Sequence, residues 1–421
     1  MVYVKGGYVV DVANGDYVEI EEFFNTLNED KSHFVNSNDE STPMGCVREM
    51  VETIPQSFWR HKNLKILDPC AGNGNFHAYI YNQKTDISNL IFNEINRRRV
   101  ENIRKIFGDS VRVMEKNFLD FNENEKYDLV VFNPPYAKFN IDGRTAKNHN
   151  LSRDFIRKAI KITKKNGYIL SIVPDNWMSL ADRNDVVKIL SQYQFIHLNI
   201  HGAKKWFPKI GSSFSWFLLK KTENKKSFTV ENFYKLKSVE KVRIDPGSHF
   251  IPLYYSSVVK SIFDKTINAE NKKYQIETSS DLHRYTKKEL LSTDKDGSHK
   301  YRVIHTPTQT VWSKRPHKYH SGYKVFISLT NQYGTFVDYD CGATQSIAFI
   351  RCKNKKEAEQ IRQSLSSPIY LFLNNITRYG NFNNVRVLQK FPEITSFSLN
   401  KEEEDFVEKF NNEYYNPMNT S

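Results

Sequence analysis

Between residues 64 and 174, short apolar runs alternate with longer amphipathic stretches, and that alternation restricts the fold more than anything else in the 421-residue chain. The runs LKILDP (64–69), NLIFNEI (89–95), VRVME (111–115), YDLVVFNPP (127–135) and GYILSIVP (167–174) have the length and near-continuous apolar character of buried strands. Residues 97–107 and 153–166 carry apolar side chains three or four apart, the spacing of one helix face. Strands and helices in alternation build a parallel sheet with crossover helices. Two more runs, FIHLNIHG (195–202) and SFSWFLLKK (213–221), are separated by too few residues for a crossover helix. They are expected to pair antiparallel at one end of the sheet. The polar stretch KKTENKKS (220–227) then reads as a linker, beyond which the alternation stops.

Lys and Arg number 61 against 48 Asp and Glu, a formal net charge of +13. Residues 295–392 hold 15 basic and 5 acidic residues, so +10 of that charge falls in under a quarter of the chain. Such a concentration favours a polyanionic partner. A hydrophobic fraction of 39% with 14% aromatics supplies packed cores and excludes a disordered chain. No run approaches the roughly 18 apolar residues that span a bilayer, and the first residues lack the order of a signal peptide. A cytoplasmic protein with no membrane partner is therefore expected. Cys46, Cys70, Cys341 and Cys352 form no CxxC pair, so reduced thiols are expected and no zinc site is suggested.

Two loops carry chemistry. The first strand ends in DPCAGNGNF (68–76), an acidic residue at the strand tip followed by Gly72 and Gly74. These glycines let the chain turn tightly and bring backbone N–H groups against a ligand at the start of the next helix. A glycine-rich turn is often only a turn, and this one lacks the third glycine of a dinucleotide site and the GxxxxGK of a P-loop, which disfavours NAD and ATP. The second loop is NPPY (133–136), directly after the apolar DLVVF (128–132). Two prolines cannot continue a sheet interior, so the chain leaves the strand there rigid and extended. The side-chain carbonyl of Asn133 and the backbone carbonyl of Pro134 can accept hydrogen bonds from both protons of a planar amino group, and Tyr136 offers a ring to stack on it.

In this combination of motifs the chain resembles the amino-group methyltransferases that use S-adenosylmethionine. Specifically, it resembles the DNA adenine-N6 methyltransferases of restriction-modification systems, in the gamma order, where the cofactor half precedes NPPY and the target recognition domain comes last. The resemblance covers residues 42–221 closely and the remainder loosely. It implies a Rossmann-like class I methyltransferase sheet over 42–222, α/β and mostly parallel with an antiparallel last strand. An N-terminal extension over 1–41 and a C-terminal α+β target recognition domain over 228–421 complete the expected organisation.

The resemblance also implies site residues. TPMGCVREMV (42–51) is similar to the family's N-terminal motif, in which Thr42 meets the methionine end of the cofactor; the same residues also read as a helix capped at Thr42 with Pro43 at its first position. Asp68 and the backbone at Cys70 and Ala71 would serve that end too, with Gly72 and Gly74 allowing close approach. Glu94 would accept the ribose hydroxyls, with Ile95 beside it. Asn117-Phe118 stands where the family has Asp-Phe, so the Asn117 carbonyl would accept from the cofactor's adenine amino group while Phe118 packs on the ring. Asn133 and Pro135 would adjoin the cofactor as well. WFPK (206–209) matches a Phe-Pro element that makes Phe207 the second face, with Tyr136, of a sandwich around the target base. Lys314, Arg315 and Arg378 would contact DNA, and Asn381 and Phe382 fall where other members carry a wedge.

The reaction so implied is methyl transfer to the N6 amino group of adenine in duplex DNA, with the catalytic loop Asn133, Pro134, Pro135 and Tyr136 receiving a flipped base. A separate cognate restriction endonuclease is expected, since only about 41 residues precede the Thr-Pro motif, too few for a fused nuclease, and a monomer or weak dimer is expected as well. NPPY also occurs in methyltransferases acting on RNA or on a protein glutamine, and cytosine-N4 enzymes tend to carry Ser where Asn133 stands. A catalytically silent DNA-binding specificity subunit is the alternative of a different class.

Overall fold

The computed structural model describes residues 10–29, 40–135, 137–139, 145–182, 184–208, 210, 213–330, 332–380 and 382–413, with the backbone alone at 137–139 and 145–150. In chain order the first strands are β1 (Ile66–Asp68), β2 (Leu90–Asn93), β3 (Arg112–Met114) and β4 (Tyr127–Phe132), followed by a two-stranded ribbon of β5 (Ala137–Phe139) and β6 (Thr145–Asn150). Then come β7 (Thr163–Pro174), β8 (Tyr193–Ile200), β9 (Phe214–Glu223), β10 (Phe228–Asn232) and β11 (Ser238–Val242). All but the ribbon join one nine-stranded sheet in the order β11-β10-β8-β9-β7-β4-β1-β2-β3. The pairs around β1 and β4 are parallel, whereas β9 runs antiparallel to both β7 and β8.

The helices before and between these strands follow local signals. In order they are α1 (Tyr17–Glu29), α2 (Met44–Glu52), α3 (Gln56–Trp59), α4 (Asn75–Gln83), α5 (Arg97–Phe107) and α6 (Leu151–Ile162). The bounds of α5 are those expected from its apolar spacing. Asn96 caps it by accepting from the Arg98 N–H at 3.1 Å, and Gly108 ends it at φ 93°. By contrast α6 stops at Ile162, short of the expected 166, because residues 163–166 already belong to β7.

Strands β10 and β11 correct two expectations. The β8–β9 pair is antiparallel as expected but does not end the sheet, since two strands lie outside it. The stretch 220–227 is the end of β9 and the turn into β10 rather than a linker. Gln194 Oε1 accepts from the N–H groups of Lys225 and Lys226, and Asn224 donates to the carbonyls of Ser191 and Ile244. A short charged turn and a linker share one composition; only the side chains that hold the turn distinguish them.

Both faces of the sheet are buried. Leu129 and Val131 of β4 join a core with Ile66, Phe92 and Leu170 and with residues of α2 and α4. Val130 and Phe132 face the other way, onto Leu67, Ile91, Ile169 and Phe155 of α6. That second core continues into the C-terminal half through Val325, Ile327, Phe372 and Phe391. There the strands β12 (Leu291–Ser292), β13 (Tyr301–Thr306), β14 (Gln309–Ser313), β15 (Tyr323–Ser328), β16 (Thr335–Tyr339), β17 (Gly342–Ala343) and β18 (Ile347–Cys352) form two small sheets. Helices including Lys355–Leu365, Pro368–Asn375 and Lys401–Glu413 follow, an α+β arrangement. Among the described residues no helix is long and apolar enough to cross a membrane.

Candidate active site at the carboxyl ends of the central strands

In an open parallel sheet, ligands bind beyond the carboxyl ends of the strands, where adjacent crossovers diverge. Here that region lies at the ends of β1, β2 and β4. Asp68 closes β1 and is 1% exposed, and its Oδ1 accepts from the Cys70 N–H at 3.1 Å. Burial pushes its carboxyl well above the usual carboxylate range, and the charge of Glu94 acts in the same direction. The loop then turns through Gly72 at φ 59° and Gly74 at φ 93°. No atom lies within 4 Å of where a Cβ on Gly72 would stand, whereas one on Gly74 would meet Phe107 at 2.7 Å. Glu94, just past β2, receives the Gly72 N–H at 2.8 Å and the Asn96 N–H at 2.8 Å. Next to it Ile95 is 71% exposed, an apolar side chain without a core to join.

Asn93 was not singled out in the sequence, although it organises this edge. Its amide donates to the carbonyls of Pro69 at 2.8 Å and Lys116 at 3.0 Å and accepts from the Lys116 N–H at 3.2 Å. It thereby ties together the tips of β1, β2 and β3. The available signal was an amide ending an apolar strand directly before an acidic residue.

Asn133 follows β4, and its amide nitrogen donates to Thr42 Oγ1 and to the Glu40 carbonyl, both at 3.1 Å. A backbone carbonyl can only accept, so the NH₂ must face residues 40–42 and the side-chain carbonyl takes the opposite edge. Thr42 is buried, and its own carbonyl accepts from Asn75 at the start of α4 at 2.8 Å. It does not cap α2; that position falls to Pro43, and the Thr42 hydroxyl serves Asn133 instead. The Cys70 thiol donates to the backbone carbonyl of Asn133 at 3.2 Å. The N-terminal motif, the glycine loop and the NPP turn thus form one hydrogen-bonded network. Pro134 is buried and Pro135 exposed, while Tyr136 lies outside the described residues.

Several expected site residues stand elsewhere. Asn117 Oδ1 accepts from the Leu119 N–H at 3.3 Å and caps a short turn, and Phe118 is 2% exposed between Phe121 and Phe155. Phe118 is therefore a core ring rather than a face for a ligand. Phe207 is likewise buried, packed on Phe214 with centroids 5.1 Å apart, and so does not face a target base. Arg378 is buried as well. Arg315 grips Asp281 with two nitrogens, at 2.8 and 3.2 Å, and holds that carboxyl down to about 2. Lys314 is exposed, Phe382 is 67% exposed, and Asn381 lies outside the described residues. The common cause is that burial of a single ring or guanidinium is decided by elements distant in sequence.

A mostly parallel sheet in this order, with β9 reversed and acidic residues closing β1 and following β2, defines the class I methyltransferase fold. Residues 47–207 match the model of the Eco57I restriction-modification methylase family. The chain is 28% identical over 145 residues to the type II methyltransferase M.AccI of Acinetobacter calcoaceticus, covering 30% of this chain and 26% of that protein. It is 34% identical over 128 residues to a tRNA1(Val) (adenine(37)-N6)-methyltransferase of Actinobacillus pleuropneumoniae, covering 27% of this chain and 53% of that one. The chain thus spans about half the length or less of these curated relatives. A solved DrdV–DNA complex shares the fold over 94% of this chain and 59% of its own, with a TM-score of 0.53 at 12% identity.

The residues present fit S-adenosylmethionine, the cofactor implied by the family. Buried carboxylates at Asp68 and Glu94 suit an ammonium and a pair of hydroxyls, the space at Gly72 admits close approach, and exposed Ile95 suits the face of a purine.

Proposed function

We propose that this protein transfers a methyl group from S-adenosylmethionine to the N6 amino group of an adenine in duplex DNA, protecting that site from a separate cognate endonuclease. The observation that carries the reading is the fixed amide of Asn133, locked from one side by Thr42 and Glu40. Asp68, the Cys70–Ala71 backbone and Glu94 bind the cofactor, which when bound supplies an electrophilic methyl group. An exocyclic amine is a poor nucleophile because its lone pair is delocalised into the ring. Asn133 and the Pro134 carbonyl accept hydrogen bonds from its two N–H groups and so favour a tetrahedral nitrogen with an available lone pair. Holding the amine in line at attack distance supplies most of the acceleration. Tyr136 stacks on the extruded base, which offsets part of the few kcal/mol of unstacking.

Duplex DNA as the substrate is supported by the +10 concentrated in residues 295–392 and by the exposed Lys314 and Phe382. It is supported also by the likeness over nearly the whole chain to a protein solved on DNA. The tRNA-modifying relative matches 27% of the chain, which leaves RNA as the second reading. Incubation with radiolabelled S-adenosylmethionine, unmethylated duplex DNA and RNA, followed by nucleoside analysis, tests this. Labelled N6-methyladenine in DNA is the expected product. Label in RNA or protein instead overturns the substrate, and no transfer to any of them favours a silent DNA-binding subunit.

A further inference from the structure

We propose that Arg284, Gln309 and Gln345, grouped at the end of β15 where Phe382 also emerges, read base edges next to the methylated adenine; this rests on the duplex-DNA reading above. Gln345 lies between β17 and β18. Two residues further on, Ile347 pairs with Ser328 at the end of β15, and two residues beyond Ser328, Thr330 bridges Phe382. Gln345 and Phe382 therefore emerge at the same end of β15. Gln345 Oε1 accepts from the Arg284 N–H at 3.0 Å, and Arg284 Nη1 donates to Gln309 Oε1 at 3.3 Å. Gln309 opens β14 and is exposed, as is Tyr285 beside Arg284, at 74%.

The chemistry of this group suits bases rather than phosphates. Side-chain amides carry no net charge and neutralise no phosphate, yet two of them flank an arginine within a strongly basic half of the chain. A guanidinium fork matches O6 and N7 of guanine, and an amide matches N6 and N7 of adenine. Without DNA the side chains of Arg284 and Gln309 bond each other, and that of Gln345 bonds the Arg284 backbone and Ser346, so contact with base edges exchanges one set of hydrogen bonds for another. Phe382, whose ring meets water over most of its surface, can enter the gap that an extruded base leaves.

The test uses the purified full-length protein, a duplex library randomised around adenine and single-molecule sequencing of the methylated positions. Arg284→Ala is expected to lose the requirement for one guanine, and Gln345→Ala or Gln309→Ala to relax an adenine at a different position. In each case discrimination falls about tenfold while cofactor binding is unchanged. Arg284→Lys keeps the charge but not the fork and should relax the same guanine, which keeps the question open to test should Arg284→Ala fold poorly. Variants that methylate the wild-type set of sites at a uniformly lower rate overturn the proposal. Wild-type protein that methylates RNA, or nothing, removes the duplex-DNA reading and this proposal with it, a failure visible before any variant is made.

Discussion

The side-chain amide of Asn133 donates to the hydroxyl of Thr42, 3.1 Å away and 91 residues earlier in the chain. That bond sets which edge of the amide faces the site. Thr42→Val removes the acceptor at nearly constant volume, and losing one neutral hydrogen bond at about 1 kcal/mol slows single-turnover methyl transfer about fivefold. Thr42→Ser should keep the rate. Asn133→Ala, which removes the acceptor for the amine itself, should cost about 100-fold or more with cofactor affinity little changed.

Asp68 is a buried carboxyl whose protonation is favoured by desolvation and by the nearby Glu94. Its folded pKa lies above its unfolded value, so the stability it contributes is present below about pH 4 and is lost as pH rises through the folded value. Asp68→Asn is therefore expected to stabilise the cofactor-free protein at pH 7, raising its melting temperature by a few degrees, while weakening S-adenosylmethionine binding. Melting and calorimetric titration on the same samples check both halves, and a lower melting temperature for Asp68→Asn would contradict this account.

The two glycines of the loop should respond unequally to alanine. Both stand at positive φ, which costs a side chain about 1–2 kcal/mol. Gly72 faces open space, whereas a Cβ on Gly74 meets Phe107 at 2.7 Å and Phe92 at 3.3 Å. Gly74→Ala should destabilise by about 1–3 kcal/mol more than Gly72→Ala, read as a larger drop in urea midpoint.

His77 on α4 is fully buried, its Nε2 3.0 Å from the Ile91 carbonyl, and burial pushes its pKa down to about 4 from 6.5. With the folded value below the unfolded one, its contribution to stability is complete above pH 6.5 and lost as pH falls toward 4. His77→Gln should flatten the stability profile in that window, measured by urea denaturation at stepped pH.

The central sheet was largely legible because strands buried on both faces leave long apolar runs, and α5 carries its own start and stop residues. The NPP turn and the glycine loop were legible because proline and glycine restrict the backbone whatever surrounds them. Asn93 was missed because an amide reveals its role only through three carbonyl and amide partners supplied by two other strands. Phe118 and Phe207 were assigned to ligand faces and lie in the core, since a ring carries no sign of what will cover it. Strands β10 and β11 went unread because FTVEN and SVEKV are short and alternate polar residues with apolar ones next to a charged turn.

One continuous core joins Leu67 and Val130 under the sheet to Phe372 and Phe391 in the C-terminal half. Packed side chains of this kind transmit position far more faithfully than a tether of chain would. On the proposed reading, the distance from Asn133 to the stretch of DNA held by the far half is a built length, and the methylated position would fall at a constant offset from that stretch. The fold works as a ruler whose zero mark is the NPP turn.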